Sequence, residues 1–485
     1  MSTGAAEPHG IHPKLILSVL AIAGVSYSML SSAVIPALTP LEHTLHSSEN
    51  DVAWLLTGYL LSASVGTAIL GRLGDMYGKE RLLLLTLVLL SVGTLISALS
   101  TSLEVMVVGR VIQGAGGGIF PLAFGIVRDE FPAEEVPGSI GILSSILGVG
   151  GGIGIVLGGL IIEHLNYHWL YWIPLVITVL AALATWRFVP ESPVRAPGRV
   201  NWLAAALMTI GFSCVLIAIS KTIAWGWGSP KTLGLLALGL VVIAAWVREE
   251  LRSREPLVDM RMMAIRGVWT TNTVAFLIGV GMYSSFILLP ELVQEPVSSG
   301  GFGASVTVAG LFLLPATIAI VVVGQMAGVL ERRIGSRGSL IGGALFALAC
   351  YVLLVADRSQ ELEIYVAAGL LGIGIGLSFS AMANLIVQNV SQEQTGVATG
   401  MNAVTRTLGG AFGGQLAATL LASNLGGAGI PNSSGFTLSF LMCLIALAAA
   451  LGFAVAVPRR SANDLAREVA VLPQAHGAEP ERSAA

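Results

Sequence analysis

Long apolar segments follow one another along almost the whole of this 485-residue chain. A helix that crosses the hydrocarbon core of a bilayer needs about 20 mostly apolar residues. By that measure the sequence predicts fourteen spans, at about 15–38, 51–70, 82–100, 105–127, 138–162, 169–188, 201–219, 232–247, 267–290, 305–327, 338–356, 364–388, 398–421 and 435–456. Only 11% of the residues are charged, against about 25% in a soluble domain. The chain is therefore predicted to be an all-α integral membrane protein, with the lipid bilayer as a partner.

Lysine and arginine are distributed very unequally between the predicted loops. With the N-terminus inside the cell, 20 of the 25 cations fall in cytoplasmic segments, and three, Lys221, Lys231 and Arg358, fall in outer loops. Because short cytoplasmic loops carry the excess of positive charge, both termini are predicted to be cytoplasmic. The expected location is a plasma membrane, which would be the inner membrane of a bacterium. The polar N-terminus lacks the features of a removed signal peptide.

A short charged stretch, Gly71-Arg-Leu-Gly74-Asp75-Met-Tyr-Gly78-Lys79-Glu-Arg81, separates the second and third apolar segments. Its cations are typical of a cytoplasmic loop, and its glycines permit sharp turns or close backbone approach. Asp75 and Lys79 are four residues apart and would face each other on a helical turn. Asp75 could equally cap the N-terminus of a neighbouring helix. We predict a loop that gates the cytoplasmic side, and the simpler alternative is an ordinary positively charged loop.

A degenerate copy of this stretch lies 257 residues further along the chain. In Gly328-Val-Leu-Glu-Arg-Arg-Ile-Gly335-Ser-Arg337 two glycines keep their spacing while Arg332 replaces the aspartate. Each copy follows the second span of a six-span half, so the halves are predicted to be parallel repeats. The predicted organisation is a cytoplasmic N-terminus (1–14), a six-helix half (15–190), a linker with two extra spans (191–266), a second half (267–457) and a disordered cytoplasmic tail (458–485).

Two arginines are predicted to lie inside spans. Arg110 is about five residues, or roughly 8 Å, inside the fourth span. A charge there costs about 2.5–3.5 kcal/mol even on permissive scales, so it should face the interior and have a partner. Gln113, one turn on, faces the same way; the alternative is that Arg110 reaches the outer headgroups. Arg406 is about nine residues, or roughly 13 Å, inside the thirteenth span, and Gln113, Tyr27 or an anionic substrate is its expected partner.

Glycine recurs at every fourth position of the fifth span, at Gly150, Gly154 and Gly158, and Gly159 follows directly. This spacing gives one smooth helix face against which another helix can pack closely. Close packing is a sufficient structural explanation of the pattern.

These motifs together resemble the major facilitator superfamily. The spacing G-x-L-G-D-x-x-G-K-x-R in 71–81 resembles its motif A, and R-x-x-Q-G from Arg110 resembles its motif B, which is associated with proton coupling. The fifth-span glycines resemble motif C of exporting antiporters, read as a hinge or seal, although Ile155 follows Gly154 where proline is usual. The resemblance implies a major facilitator fold.

Further segments resemble the fourteen-span drug:proton antiporter branch of that superfamily. They are Trp54-Leu-Leu-Thr-Gly58, Leu289-Pro290-Glu291 and Arg406-Thr-Leu-Gly409-Gly410. This resemblance implies two six-helix halves plus two inserted transmembrane helices.

Proton coupling is where the sequence departs from that branch, because Tyr27 stands where an aspartate is common in the first span. The middle of the predicted bundle has no carboxylate, so the nearest acids are Glu291, at the outer end of the ninth span, and Glu163, just beyond Gly159. Either could be a solvated loop residue. The candidates for coupling are Arg110, Gln113, Glu163, Glu291 and Arg406.

The space between the halves is expected to have an apolar surface with few polar groups. The candidates are Tyr27, Trp54, Tyr59, Gln113, Tyr283, Gln294, Asn384, Gln388 and Asn402. Such a surface suits lipophilic or amphiphilic small molecules. The alternative is that these side chains join helices by hydrogen bonds.

The sequence contains no hydrolase, metalloprotease or nucleotide-loop motif, so no enzyme, cofactor or metal site is expected, and the net charge of −3 gives no sign of a nucleic-acid partner. We predict a monomeric secondary transporter that exports lipophilic, drug-like molecules in exchange for protons. The alternatives are an uncoupled facilitator, a lipid or glycolipid exporter, and a membrane sensor or scaffold that transports nothing.

Overall fold

The computed structural model describes residues 12–52, 54–196, 198–297, 300–425 and 431–458. Within these ranges the chain is helical and contains no β-strand. The helices are α1 (Pro13–Ser32), α2 (Leu38–Thr44), α3 (Glu49–Val52), α4 (Trp54–Tyr77), α5 (Lys79–Leu99), α6 (Leu103–Gln113), α7 (Ile119–Glu130), α8 (Val136–His164), α9 (Trp169–Phe188), α10 (Trp202–Ser220), α11 (Thr222–Trp225), α12 (Pro230–Arg252), α13 (Met260–Met263), α14 (Arg266–Gln294), α15 (Val306–Phe312), α16 (Leu314–Ala356), α17 (Glu361–Asn389), α18 (Thr395–Ala422) and α19 (Ser433–Ala456). Nearly all of the predicted tail, and residues 1–11 of the predicted N-terminal segment, lie outside the described residues.

Twelve helical stretches of the described chain are long and apolar enough to cross a membrane. The predicted number of fourteen is therefore not confirmed. One of the twelve, Val308–Ala356, is 49 residues long and covers most of the predicted span 305–327 and all of the predicted span 338–356. Helix α18 contains another predicted span but is not among the twelve. The count of fourteen stays a prediction.

The outer surface of the bundle is apolar. On α9, Val176, Leu180, Leu183 and Trp186 are all exposed, and their spacing places them on one face of the helix. A contiguous exposed apolar face of this kind is suited to lipid, and only structures with satisfied backbone groups, such as helices, are stable there. The all-α membrane class expected from composition is confirmed.

The buried side chains form three hydrophobic clusters. The first lies mainly within α1–α9, which we call the first half, and the second within α14–α19, the second half. The third cluster joins the insertion, α10–α13, to α4, α17 and α18. The insertion therefore packs beside the place where the two halves meet. Contacts between the halves are made by α4 and α7 with α18, and by α8 with α16 and α17.

The predicted loop at 71–81 is wrong in its secondary structure. Helix α4 continues to Tyr77 and α5 begins at Lys79, so Gly78 is the only non-helical residue of the stretch. Gly78 has φ = 116°, which glycine adopts far more readily than other residues. The helix can continue through Asp75 because buried partners satisfy its charge. Gly335, the equivalent glycine of the repeat, breaks α16 in the same way, with φ = 70°.

Candidate functional site

Asp75 is fully buried near the end of α4 and caps the N-terminus of α18. Its carboxylate accepts hydrogen bonds from the backbone N–H groups of Gly396, at 3.1 Å, and Val397, at 3.0 Å. N–H groups in the first turn of a helix have no partner within the helix, and that end carries partial positive charge. Lys79 also faces Asp75, with Nζ 3.8 Å from Oδ1. The two arrangements that the sequence offered for Asp75 therefore occur together.

The nearest partner of Lys79 is a residue that the sequence analysis did not single out. Its Nζ lies 2.5 Å from Oδ2 of Asp129, at the end of α7, and both side chains are completely buried. The hydroxyl of Ser192 donates to the same carboxylate oxygen. Buried charges are tolerated when they are paired and hydrogen-bonded. In the sequence, the position of Asp129 at the end of a predicted span was the only feature that could have indicated this role.

Arg128, beside Asp129, binds the connection between α17 and α18. Its guanidinium donates to the carbonyl oxygens of Val390, at 2.8 Å, and Ser391, at 3.0 Å, and to the hydroxyl of Thr395, at 2.6 Å. A cation at the carboxyl end of α17 complements the partial negative charge there. The first half thus presents Arg128 to the end of one helix and Asp75 to the start of the next.

Glycines allow the halves to approach closely at the same place. A Cβ on Gly71 would meet the backbone of Gly396, and a Cβ on Gly400 would meet the backbone of Thr67. Gly74 packs on Leu122 within the first half. We call this region, which contains Asp75, Arg128 and the α17–α18 connection (390–394), the Asp75 end of the bundle. It is closed by contacts between the halves.

The last part of the charged stretch faces outward from the Asp75 end. Arg81 is largely exposed, and its Nε lies 3.3 Å from Oε2 of Glu191. A Cβ on Gly78 would meet the carboxylate of Glu191, but that carboxylate ends a flexible side chain, so the positive φ is the stronger reason for glycine here. An exposed pair of this kind contributes little, about 0–1 kcal/mol.

Arg110 is completely buried at the other end of the first half. Its guanidinium donates to the carbonyl oxygens of Leu55 and Leu30, each at 3.0 Å, and to Oε1 of Gln113 at 2.9 Å. It also stacks on the ring of Tyr59, with Cζ 4.2 Å from the centroid. The alternative in which Arg110 reaches the headgroups is therefore wrong. Three helices, α1, α4 and α6, meet on one planar cation.

Gln113 is held in turn by the third span. It is also fully buried, and its Nε2 donates to Ser97 on α5 at 3.3 Å. Gly93 and Gly109 let α5 and α6 approach there, because a Cβ on either would meet backbone atoms of the other helix. Arg110 and Gln113 form one network within the first half, and neither side chain crosses to the second half.

A group of partly exposed side chains lies near the middle of the bundle, between the halves. Arg406 on α18 stacks on the ring of Phe379 on α17, with Cζ 4.3 Å from the centroid. Tyr27, in the first half, and Tyr283, in the second, are partly exposed as well. The expected contact with Gln113 does not occur, because Gln113 is bound to Arg110 and Ser97. Tyr27 stacks on Tyr59, with ring centroids 6.1 Å apart.

The glycine face of α8 packs as expected. A Cβ on Gly150 would meet Ser28, one on Gly154 would meet Ser32, and one on Gly158 would meet the backbone of Ala33, all in or next to α1. Gly159 has open space where a Cβ would lie. Close packing of α8 on α1 therefore accounts for three of the four glycines. The opposite side of α8 meets α16, where Gly152 faces Thr317.

Several predicted cavity residues have other roles. Asn384 donates to the carbonyl oxygen of Pro137 at 3.3 Å, and Asn402 donates to Asn272 at 2.9 Å. Gln388 donates to Glu331 at 3.0 Å. For these three side chains, hydrogen bonding between helices is the arrangement that the structure shows. Gln294 is exposed and donates to Pro290, one turn back in its own helix.

Trp54 joins the first half to the insertion instead of facing the middle of the bundle. The ammonium group of Lys221 lies 5.3 Å from the centroid of its ring. Trp227, also in the insertion, donates to Thr419 of α18 at 2.9 Å. The two extra helices are therefore fastened to both halves.

The two predicted coupling acids lie far along their helices. Glu291 is partly buried, and α14 continues past Pro290 to Gln294. Beside it is a surface recess of about 370 Å³ lined by Ile287, Pro290, Glu291, Gln294 and Glu295. Glu163 is exposed one residue before the end of α8. No group of acidic, histidine or cysteine side chains in the described chain is arranged to bind a metal ion.

Comparison with known proteins identifies the class. The Major Facilitator Superfamily model matches residues 20–414 and 271–476. The chain belongs to this superfamily of membrane transporters and is not an enzyme, as the motifs predicted.

Relatives within the superfamily are named as resistance and export proteins. The chain is 28% identical to the tetracenomycin C resistance and export protein of Streptomyces glaucescens, over 84% of this chain and 76% of that protein. It is 25% identical to multidrug resistance protein 3 of Bacillus subtilis, over 74% and 70% of the two chains. The crystal structure of the human organic anion transporter MFSD10 superposes with a TM-score of 0.63, at 15% identity, over 91% of this chain and 99% of that one. At that identity the match shows the fold alone.

Proposed function

We propose that this protein is a secondary transporter that exports lipophilic or amphiphilic small molecules, in exchange for protons, by alternating access. The observation that carries the proposal is the closed Asp75 end, where Asp75 of one half caps a helix of the other. Two hydrogen bonds to Asp75 and three from Arg128 join the halves there, and these are the contacts that break when the halves separate. The names of the relatives support export of drug-like molecules.

In this proposal the Asp75 end faces the cytoplasm, as the distribution of cations favours. When the halves separate there, Asp75 loses the N–H groups of Gly396 and Val397 but keeps Lys79, four residues away on its own half. Arg128 loses the α17–α18 connection but remains next to Asp129. Each charge that is uncovered thus retains an opposite charge nearby. This arrangement lowers the cost of opening and leaves two states close in free energy.

Substrate would bind between the halves near Tyr27, Tyr283 and Arg406. These side chains are partly exposed and belong to both halves, so they separate when the cytoplasmic side opens. The site is mostly aromatic, which suits lipophilic molecules. The protein is proposed to act as a monomer, since each chain contains both halves.

Export can be tested with purified protein in liposomes. A lipophilic fluorescent dye is loaded, a pH gradient of either sign is imposed, and dye movement and internal pH are followed together. The proposal predicts dye movement that reverses with the sign of the gradient, together with an opposite proton flux. If the protein moves none of the dyes in a broad panel, the proposal is contradicted.

A second candidate function is an uncoupled facilitator. It is favoured by one observation: among the described residues, no aspartate or glutamate lies in the middle of a single span, since Glu331, in the middle of the stretch 308–356, lies beside the break at Gly335. If protons are coupled, Glu291 is the preferred carrier, because it is partly buried next to apolar neighbours. Glu291→Gln should then remove the pH dependence of export while substrate still binds, and Glu163→Gln should have a smaller effect. Dye movement by the wild-type protein that ignores the pH gradient would favour the facilitator.

A further inference from the structure

The surroundings of Arg406 differ from those of the buried or half-buried cations Lys79, Arg128 and Arg110. Lys79 has two carboxylates, Arg128 has three oxygen acceptors, and Arg110 has three as well. The guanidinium of Arg406 makes no hydrogen bond or ion pair with any side chain or carbonyl of the described chain; its contact is the ring of Phe379. Its five N–H donors are therefore left without an acceptor among the residues that the structure describes.

The position of Arg406 makes this lack of acceptors significant. Arg406 and Tyr283 each lie within about three residues of the middle of their helices, or about 5 Å along the axis, and Tyr27 lies about two residues from the middle of the stretch 13–37. An arginine at that depth is too far from the headgroups for its side chain to reach them easily. Its side chain is partly exposed and lies against Phe379 of α17, a helix that packs on α8 of the first half. A charge held there is costly unless something compensates it.

The surroundings of Arg406 favour an organic anion as that partner. The ring of Phe379 lies against the guanidinium, and Gly410, one turn along α18 from Arg406, lets that helix lie directly on the ring of Tyr283. Aromatic rings bind flat apolar groups, and the planar fork of arginine fits a carboxylate through two parallel hydrogen bonds. A lipophilic cation would instead bring a second positive charge next to Arg406, with no carboxylate of the described chain in the middle of the bundle to offset it.

We propose that Arg406, with Tyr27, Tyr283 and Phe379, forms the binding site for the anionic group of the transported molecule, and that the substrates are aromatic lipophilic anions such as carboxylates. This proposal rests on the proposed function, because it assigns a substrate class to the same transporter. Arg406 binds the charge, and the three rings bind the adjacent aromatic system. Lipophilic cations are excluded by the same charge.

Three probes with one aromatic body separate the effect of charge from that of apolar contact. They are 1-pyrenebutyrate, its methyl ester, and a pyrenebutyl trimethylammonium salt. Binding to the purified protein is measured by pyrene fluorescence. The wild-type protein should bind the carboxylate on the order of tenfold or more tighter than the ester, as one charge-assisted contact allows, and the ammonium compound weakest.

Arg406→Gln should remove the preference for the carboxylate and leave the affinity for the ester unchanged. The retained ester binding shows that the variant is folded. Phe379→Leu should weaken carboxylate binding less than Arg406→Gln, since it removes a ring but not the charge. Arg266→Gln, which removes an exposed arginine at the start of α14, is the matched control and should bind all three probes as the wild type does. Equal binding of carboxylate and ester by the wild type, or an unchanged preference in Arg406→Gln, would overturn the proposal.

Two further measurements test whether a small inorganic anion is the partner of Arg406 and whether the probes that bind are also transported. A small inorganic anion could supply the same charge, so binding is repeated with chloride replaced by gluconate. If chloride is the partner of Arg406, its removal would change ester binding and create no preference for the carboxylate, which counts against the proposal. If the ester is transported without any preference for the anion, the proposed export is supported and the anion site is contradicted. If the carboxylate binds tightly through Arg406 but no probe is transported, the anion site is supported and the proposed export is contradicted.

Discussion

Single residues show how this protein keeps charges inside a mostly apolar bundle. Asp75, Lys79 and Arg110 each have the kind of partner that their place in the fold offers. Asp75 uses the free N–H groups at a helix N-terminus, and Lys79 uses two carboxylates. Arg110 has no carboxylate partner, and its guanidinium instead donates hydrogen bonds to two backbone carbonyl oxygens and one side-chain amide. Removing one partner of such a group leaves the other buried and unpaired, which costs more than the contact contributes.

Arg110 is expected to be required for its shape as well as its charge. Lysine has one ammonium group and cannot reach Leu55, Leu30 and Gln113 together. Each lost hydrogen bond to a buried charged group costs about 1.5–3 kcal/mol. We expect Arg110→Lys to insert normally, to melt at a lower temperature in detergent and to lose most export. Thermal unfolding and dye export measure these effects, with Arg266→Lys as the exposed control. A variant that melts and exports like the wild type would show that positive charge alone suffices.

Asp75 is expected to set the balance between the two transport states. Asp75→Asn keeps the size of the side chain but removes the charge that holds Gly396, Val397 and Lys79. The loss of about 1.5–3 kcal/mol from charged hydrogen bonds corresponds to roughly 10- to 100-fold in a population ratio. We expect normal membrane insertion and export reduced by about tenfold or more, measured as the initial rate of dye export per inserted molecule.

The control for Asp75 is Glu80→Gln, which removes a half-buried carboxylate from the same stretch. It should export normally, because Glu80 makes no contact with the second half. Wild-type export by Asp75→Asn would mean that the stretch serves only to orient the chain in the membrane.

At the scale of helices, the sequence predicts local relations well and long-range ones poorly. The pairing of Asp75 with Lys79 and of Arg110 with Gln113 follows from three- and four-residue spacing on a helix. The partners Asp129, Leu55 and Leu30 depend on how distant helices pack, and every residue has a carbonyl oxygen, so no pattern marks them.

The same limit explains two errors. The charged stretch at 71–81 has glycines and charges typical of a loop, but its buried partners, which lie far away in the sequence, keep it helical up to Tyr77. Asn384 and Asn402 have the chemistry of cavity residues, yet their amides join helices. The residue type did not reveal which neighbour each one faces.

The glycines of α8 give a prediction at this scale. A Cβ on Gly154 would meet Ser32 and the backbone of Met29 and Ala33, which cannot move aside easily, whereas one on Gly159 has open space. Overpacking of this kind costs about 1–3 kcal/mol. We expect Gly154→Ala to lower the melting temperature and to slow export, and Gly159→Ala to behave as the wild type. If both variants behave alike, tight packing of α8 on α1 is not what the glycine spacing provides.

For the whole molecule, the two halves meet closely at the Asp75 end, and the insertion packs beside their boundary. If the proposed Arg406 site near the middle is closed toward Asp75, we expect its way out to lie at the opposite end. The cation distribution favours a cytoplasmic position for the Asp75 end. The structure would then correspond to a state that releases substrate outside the cell.

This arrangement predicts the accessibility of the central site in intact cells. In a variant whose three cysteines, Cys214, Cys350 and Cys443, are replaced, Tyr283→Cys introduces a single thiol at the Arg406 site. A charged maleimide that does not cross membranes should label this thiol from outside the cell, because the site opens at the end opposite Asp75.

Adding Asp75→Asn should reduce the labelling rate, since the state closed at the Asp75 end becomes less populated. Leu180→Cys, on the apolar outer face of α9, is the control and should stay unlabelled because a charged reagent does not enter lipid. If the Tyr283→Cys thiol is labelled only in inverted vesicles, the Asp75 end faces outward or another state predominates. If Asp75→Asn leaves the labelling rate unchanged, the Asp75 contacts do not control the transport cycle.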